Sequence, residues 1–121
     1  MKSRKILIID DEPEWSEMLK MRLEARGFAV ESALDGTKGL EAARSNPPDL
    51  ILLDVMLPGA DGGDIAREIT SEPSLKTIPI IFLTAAITEA EAEKRWSEHS
   101  ERMLSKTMDA EAILKKIQEI L

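Results

Sequence analysis

The chain contains no cysteine. Disulfides and thiolate metal sites are therefore excluded, which fits a reducing cytoplasm. There is no tyrosine, and only two phenylalanines and two tryptophans. Trp15 and Trp96 are thus the candidate packing anchors of two helices. The single histidine, His99, stands near a helix end and reads as structural or solvated. No apolar run approaches the roughly 18–20 residues of a membrane span. The start, MKSRKILIIDDE, passes from a short apolar run straight into acids and offers no small-residue cleavage site, so it does not read as a signal peptide. No cluster of lysine and arginine forms a phosphate-backbone footprint, which argues against direct nucleic-acid binding. The first apolar run is followed by acids rather than by a glycine-rich loop, which excludes a dinucleotide-binding domain.

What is present is an acidic chain of 121 residues with net charge −7. That length suits one domain with one core, taken as residues 1–121. Three nearly continuous apolar runs stand out: ILII at 6–9, LILL at 50–53 and IPIIFL at 78–83. Strands buried on both faces, as in parallel sheets, read this way. FAVESA at 28–33 alternates more, and residues 102–105 fit a short fifth strand. Helical spacing fills the gaps. Pro13 suits a first helical position and Gly27 a stop. Asp35-Gly36 turns the chain into a helix over 37–44, and a third helix is expected over 64–70. Thr88 with Glu91 three residues on predicts a capping box opening a helix over 88–98. A last amphipathic helix starts near Met108 or Asp109. The pattern β-α repeated five times predicts a doubly wound α/β domain with a five-stranded parallel sheet.

In such sheets the functional crevice lies beyond the carboxyl ends of the strands. The residues just after each run therefore carry the chemistry. They are Asp10, Asp11 and Glu12 after the first, Asp54 after LILL, Thr84-Ala85-Ala86 after the fourth, and Lys106 after the fifth. Asp54 is the sharpest of these, because a carboxylate ending a run built for a dry core costs several kcal/mol unless it has a partner or takes up a proton. Three carboxylates within roughly 4–6 Å repel by about 3–4 kcal/mol per pair at an effective dielectric near 20. One lysine does not offset three acids, whereas a divalent cation does. An all-oxygen donor set favours Mg²⁺ or Mn²⁺. A carboxylate beside such a cation can act as a nucleophile and form an acyl phosphate. Read alone, Asp10-Asp11 could equally be a solvated turn with a helix cap. Glu12 reads as exposed, and Pro58, Gly59 and Gly62 read as loop geometry.

Taken together, ILIIDDEP, LLDVMLPGADG, PIIFLTA and the lysine of LSK resemble the receiver domain of bacterial two-component response regulators over nearly the whole chain. The resemblance implies a flavodoxin-like sheet of order 2-1-3-4-5. It implies that Asp54 is the phosphoacceptor and that Asp11, Asp54 and the backbone carbonyl of Met56 bind Mg²⁺, with Asp10 acting through water. Thr84 becomes the switch hydroxyl, Ala85 beside it is small enough not to obstruct its inward movement, and Lys106 becomes the phosphate-pairing amine. The donor becomes a sensor histidine kinase or a phosphotransfer protein. The receiver itself catalyses only its own phosphorylation and slow dephosphorylation, in the cytoplasm. The output domain or target is not named by the sequence, and a homodimer stays open.

Two positions depart from the family pattern. Met103 stands where an aromatic residue usually rotates during switching. Thr107 follows Lys106 where proline is common, and a cis bond there would cost ~3 kcal/mol. Two rival readings follow: an atypical receiver that binds proteins constitutively, and a small Mg²⁺-dependent aspartyl phosphatase. The second usually wants another acid two residues after the nucleophile, where this chain has Met56.

Overall fold

Aliphatic residues with no polar alternation become the inner strands of the sheet. In the computed structural model, which describes residues 3–57, 60–98 and 102–121, ILII lies in β1 (Lys5–Ile9) and LILL in β3 (Leu50–Asp54). All five β3 residues are buried. The PIIFL segment supplies β6 (Ile80–Thr84). The more polar β2 (Ala29–Ala33) and the short β7 (Met103–Ser105) take the two edges. The sheet is parallel, in the order β2-β1-β3-β6-β7. It differs from the expected 2-1-3-4-5 only in numbering. Met56–Leu57 (β4) and Ala60–Asp61 (β5) form a separate two-residue antiparallel pair between the third and fourth sheet strands. Pro58, Gly59 and His99 lie outside the described residues.

The pleat sends alternate side chains to opposite layers. Ile6, Ile8, Leu50, Leu52, Ile81 and Leu83 join one core with Leu19 and Leu23 of α1 (Pro13–Ala25), Trp96 of α4 (Glu89–Glu98) and Ile113, Leu114 and Ile117 of α5 (Ala110–Ile120). Leu7, Ile9, Ile51 and Leu53 join the other with Leu40 and Ala43 of α2 (Gly36–Ser45) and Ile65 and Ile69 of α3 (Gly62–Ser71). Helix ends follow the chemistry of their residues. Pro13 opens α1 and Gly27, at φ 92°, closes it. Asp35 and Asp109 cap α2 and α5 by accepting from the amides of Lys38 and Ala112, each at 2.8 Å. The Thr88 hydroxyl accepts from the Glu91 amide at 3.1 Å, the forward half of the predicted capping box. The returning half takes another form, because Glu91 meets the hydroxyl of Thr88 at 3.3 Å instead of its amide. Among the described residues every peptide bond is trans, including the one before Thr107.

Candidate functional site

Parallel pairing brings the carboxyl ends of β1, β3, β6 and β7 to one edge. Amides and carbonyls lock them there: Asp10 N–H to Ala33 O at 3.0 Å, Val55 N–H to Leu83 O at 3.0 Å, and Lys106 N–H to Thr84 O at 2.9 Å. Between these ends lies a cleft of about 400 Å³ lined by Asp11, Glu12, Asp54, Met56, Thr84, Ala85, Ala86 and Lys106. The start of α3 approaches closely from one side. A side chain at Gly62 would meet the backbone of Asp54 and Val55 at 2.7 Å, so glycine lets this turn sit against the strand end.

Asp54 is buried, at 4% exposure. Its Oδ1 accepts from the Met56 amide at 2.9 Å, and its Oδ2 lies 3.5 Å from Lys106 Nζ. Burial pushes its carboxyl above the ordinary range. The charge of Asp10 pushes the same way, and together they outweigh the Met56 amide and the lysine. Asp10 is wholly inaccessible, with Oδ1 accepting from the Glu12 amide at 2.8 Å and Oδ2 lying 2.8 Å from Lys106 Nζ. Beyond that ion pair, Oδ2 has no hydrogen-bond partner among the described residues. Burial opposes the charge on Lys106, but pairing with Asp10 and Glu12 more than offsets it, and the ammonium is held above its usual value. Thr84 is buried, its Oγ1 accepting from the Ala86 amide at 3.0 Å. Ala85 is exposed.

Two contributions were not legible in the sequence. Glu12 is indeed exposed, yet its carboxylate contacts Lys106 directly. Trp15 is more than an anchor. Its ring centroid lies 4.9 Å from Lys106 Nζ, and its Nε1–H donates to the Lys106 carbonyl at 3.3 Å. Nothing in the spacing of α1 marks that contact, which joins the helix to the residue that follows β7. Oxygens of Asp10, Glu12 and Asp54 lie within 4.8 Å of one another and could hold a metal ion. Asp11, expected as a direct ligand, lines the cleft but does not belong to that group. The donor set is all oxygen, one member is a buried, poorly partnered carboxylate atom, and so the residues fit a hard divalent cation. Met103 is half-buried in β7 opposite Phe82. Trp96 is packed in the core, its Nε1–H donating to Glu119 at 3.1 Å, with Arg102 and Lys116 over its ring at 5.6 and 5.0 Å.

Residues 6–118 match the family model of the response regulator receiver domain. The chain is 34% identical over 117 residues to the DNA-binding dual master transcriptional regulator RpaA of Synechocystis, covering 97% of this chain and 48% of that protein. It is 34% identical over 119 residues to Protein PilH of Pseudomonas aeruginosa, covering 97% of each. It thus spans about half the length of the first relative and nearly all of the second. Among solved structures, the Vibrio cholerae chemotaxis protein CheY4 superposes with a TM-score of 0.85 at 27% identity, covering 99% of this chain and 100% of that one. No helix among the described residues is long and apolar enough to cross a membrane. With the carboxylates, hydroxyl and ammonium gathered at one sheet edge and the match running almost end to end, the chain belongs to the response regulator receiver domains, the phosphoacceptor modules of two-component signalling.

Proposed function

We propose that residues 1–121 act as one receiver domain in a two-component phosphorelay, with Asp54 as the residue phosphorylated. The observation that carries this is the burial of Asp54 at the tip of an apolar strand, beside an ammonium, a hydroxyl and a second buried carboxylate. A carboxylate oxygen of Asp54 attacks the phosphorus of a phosphohistidine. The P–N bond breaks, the imidazole leaves as it takes up a proton, and an acyl phosphate remains on Asp54. Lys106 neutralises the phosphoryl oxygens. The Thr84 hydroxyl accepts from Ala86 but keeps its own proton to donate to one of them. Asp11, Asp54 and the Met56 carbonyl would hold Mg²⁺ or Mn²⁺, with Asp10 acting through water. When bound, the ion supplies charge neutralisation at the phosphoryl oxygens.

The donor is a sensor histidine kinase or a phosphotransfer protein. The chain's own catalysis is confined to its phosphorylation and slow dephosphorylation, in the cytoplasm. Phosphorylation replaces one charge by about two and adds acceptor oxygens. Thr84 and Lys106 then favour a second arrangement, and the surface around α4, β7 and α5 passes the change to an output domain or target. Methionine at 103 fills space without a ring's directional packing, so this surface is expected to respond differently from one with an aromatic there.

Incubation with acetyl phosphate and Mg²⁺ tests the assignment. The intact protein gains the mass of one phosphoryl group, while Asp54→Asn and a chelator each abolish the gain. Retention of the modification in Asp54→Asn would refute the assignment. If the wild type is modified by neither acetyl phosphate nor a phosphohistidine protein, the constitutive protein-binding reading takes its place, and Met103 is the feature that favours it.

A further inference from the structure

Lys106 has more carboxylates around it than pairing with a phosphoryl group requires. Its side chain is only 6% exposed, and its Nζ touches three acids: Asp10 Oδ2 at 2.8 Å, Glu12, and Asp54 Oδ2 at the longer distance of 3.5 Å. The three are not equivalent. Asp10 is inaccessible and fixed through its own bond to the Glu12 amide. Asp54 is buried and tied to the Met56 amide. The Glu12 side chain is 60% exposed. It sits at the N-cap of α1 but makes no capping hydrogen bond, and among the described residues its ion pair is with Lys106. The backbone of Lys106 is fixed from both sides, by its amide on Thr84 O and its carbonyl on the Trp15 indole. The freedom left to the ammonium is to shift among the three acids, over the Trp15 ring.

We infer that Glu12 is a releasable counter-ion, a positioning residue that draws Lys106 towards the rim of the cleft while Asp54 is unmodified and lets it go when a phosphoryl group arrives. This rests on the phosphoacceptor reading above. The new charge appears on Asp54, the acid that Lys106 contacts least closely. To meet it the ammonium moves inward. The partner it gives up is the water-exposed one, because a carboxylate freed into solvent loses little, whereas Asp10 would be left buried and unpaired. Glu12 therefore competes with the phosphoryl group for one cation, and lowers the affinity of the site for it.

The test uses beryllium fluoride with saturating Mg²⁺ as the phosphoryl probe on the full chain. Binding is followed by the indole N–H resonance of Trp15, which also reports that each variant is folded. Glu12→Gln keeps the shape and removes the charge. Glu12→Asp keeps the charge but shortens its reach. Both variants are expected to bind the probe about two- to fivefold more tightly, the size of a partly exposed ion pair, and to start with a shifted Trp15 resonance in its absence. Unchanged or weaker binding in Glu12→Gln overturns the inference. So does wild-type behaviour of Glu12→Asp, which would mean that a diffuse field rather than the contact is at work. If the wild type neither binds the probe nor takes up phosphate from acetyl phosphate, the phosphoacceptor reading itself fails and the inference goes with it.

Discussion

Lys106 is buried among acids whose charges it must balance, and its removal would strand them. In Lys106→Met the shape is roughly kept while Asp10 and Asp54 lose their common cation. Breaking a buried pair in this way is expected to cost about 3–5 kcal/mol at neutral pH, read from urea denaturation. Asp54 gives the opposite sign. Its carboxyl is held above the ordinary value of 3.8, so the fold prefers the protonated form. That preference contributes fully below 3.8 and is lost as pH rises through the folded-state value. Lys106 is raised as well, and its contribution persists until pH climbs past 10.5, so it does not mask the effect. Asp54→Asn should therefore gain on the wild type between acid and neutral pH in metal-free buffer. Urea midpoints at both pH values check this, and a constant difference would speak against burial as the cause. The positions of Asp10, Asp54, Thr84 and Lys106 at the sheet edge could be read from the sequence because each closes or directly follows a strand, Asp54 and Thr84 as the last residues of β3 and β6. Glu12 could not, since an acid before a helical proline looks like any solvated helix start.

At the scale of elements, continuous apolar runs announced β1, β3 and β6 because both faces of each strand are covered by helices. The β4–β5 pair had no such signal. Two residues on each side carry no period, and glycine and proline between them suggest only a loop. The role of Gly62 was equally hidden, since its demand comes from backbone brought near by the fold. Gly62→Ala would force the start of α3 away from Asp54 and Val55, at a cost of about 1–3 kcal/mol. Because the displaced backbone carries Asp54, the proposed phosphoacceptor, slower labelling by acetyl phosphate should accompany the lower stability. A variant that loses stability yet labels at the wild-type rate would separate the turn from the site. Helix α4 is otherwise anchored sparsely. Ala92 and Trp96 are its buried apolar residues, and the cations and Glu119 around the indole fix the tryptophan in place.

Across the whole molecule, a net charge of −7 meets a cleft walled by carboxylates. An ion that binds only the folded state stabilises it by mass action. Mg²⁺ at ten times its Kd should add about 1.4 kcal/mol, seen as a higher melting temperature than in sodium chloride of equal ionic strength. Asp54→Ala should lose most of that increment. Equal shifts in both proteins would place the ion elsewhere. The sheet order itself has a bearing on biogenesis. Ile6 pairs with Leu50, Leu53 with Phe82, and Thr84 with Ser105, so each seam waits for chain made much later. A nascent polypeptide halted after β3 already carries Asp54 but has neither the hydroxyl nor the amine beside it. On the proposed reading, the full set of groups around the phosphoacceptor is thus assembled last, once the final strand has docked against β6.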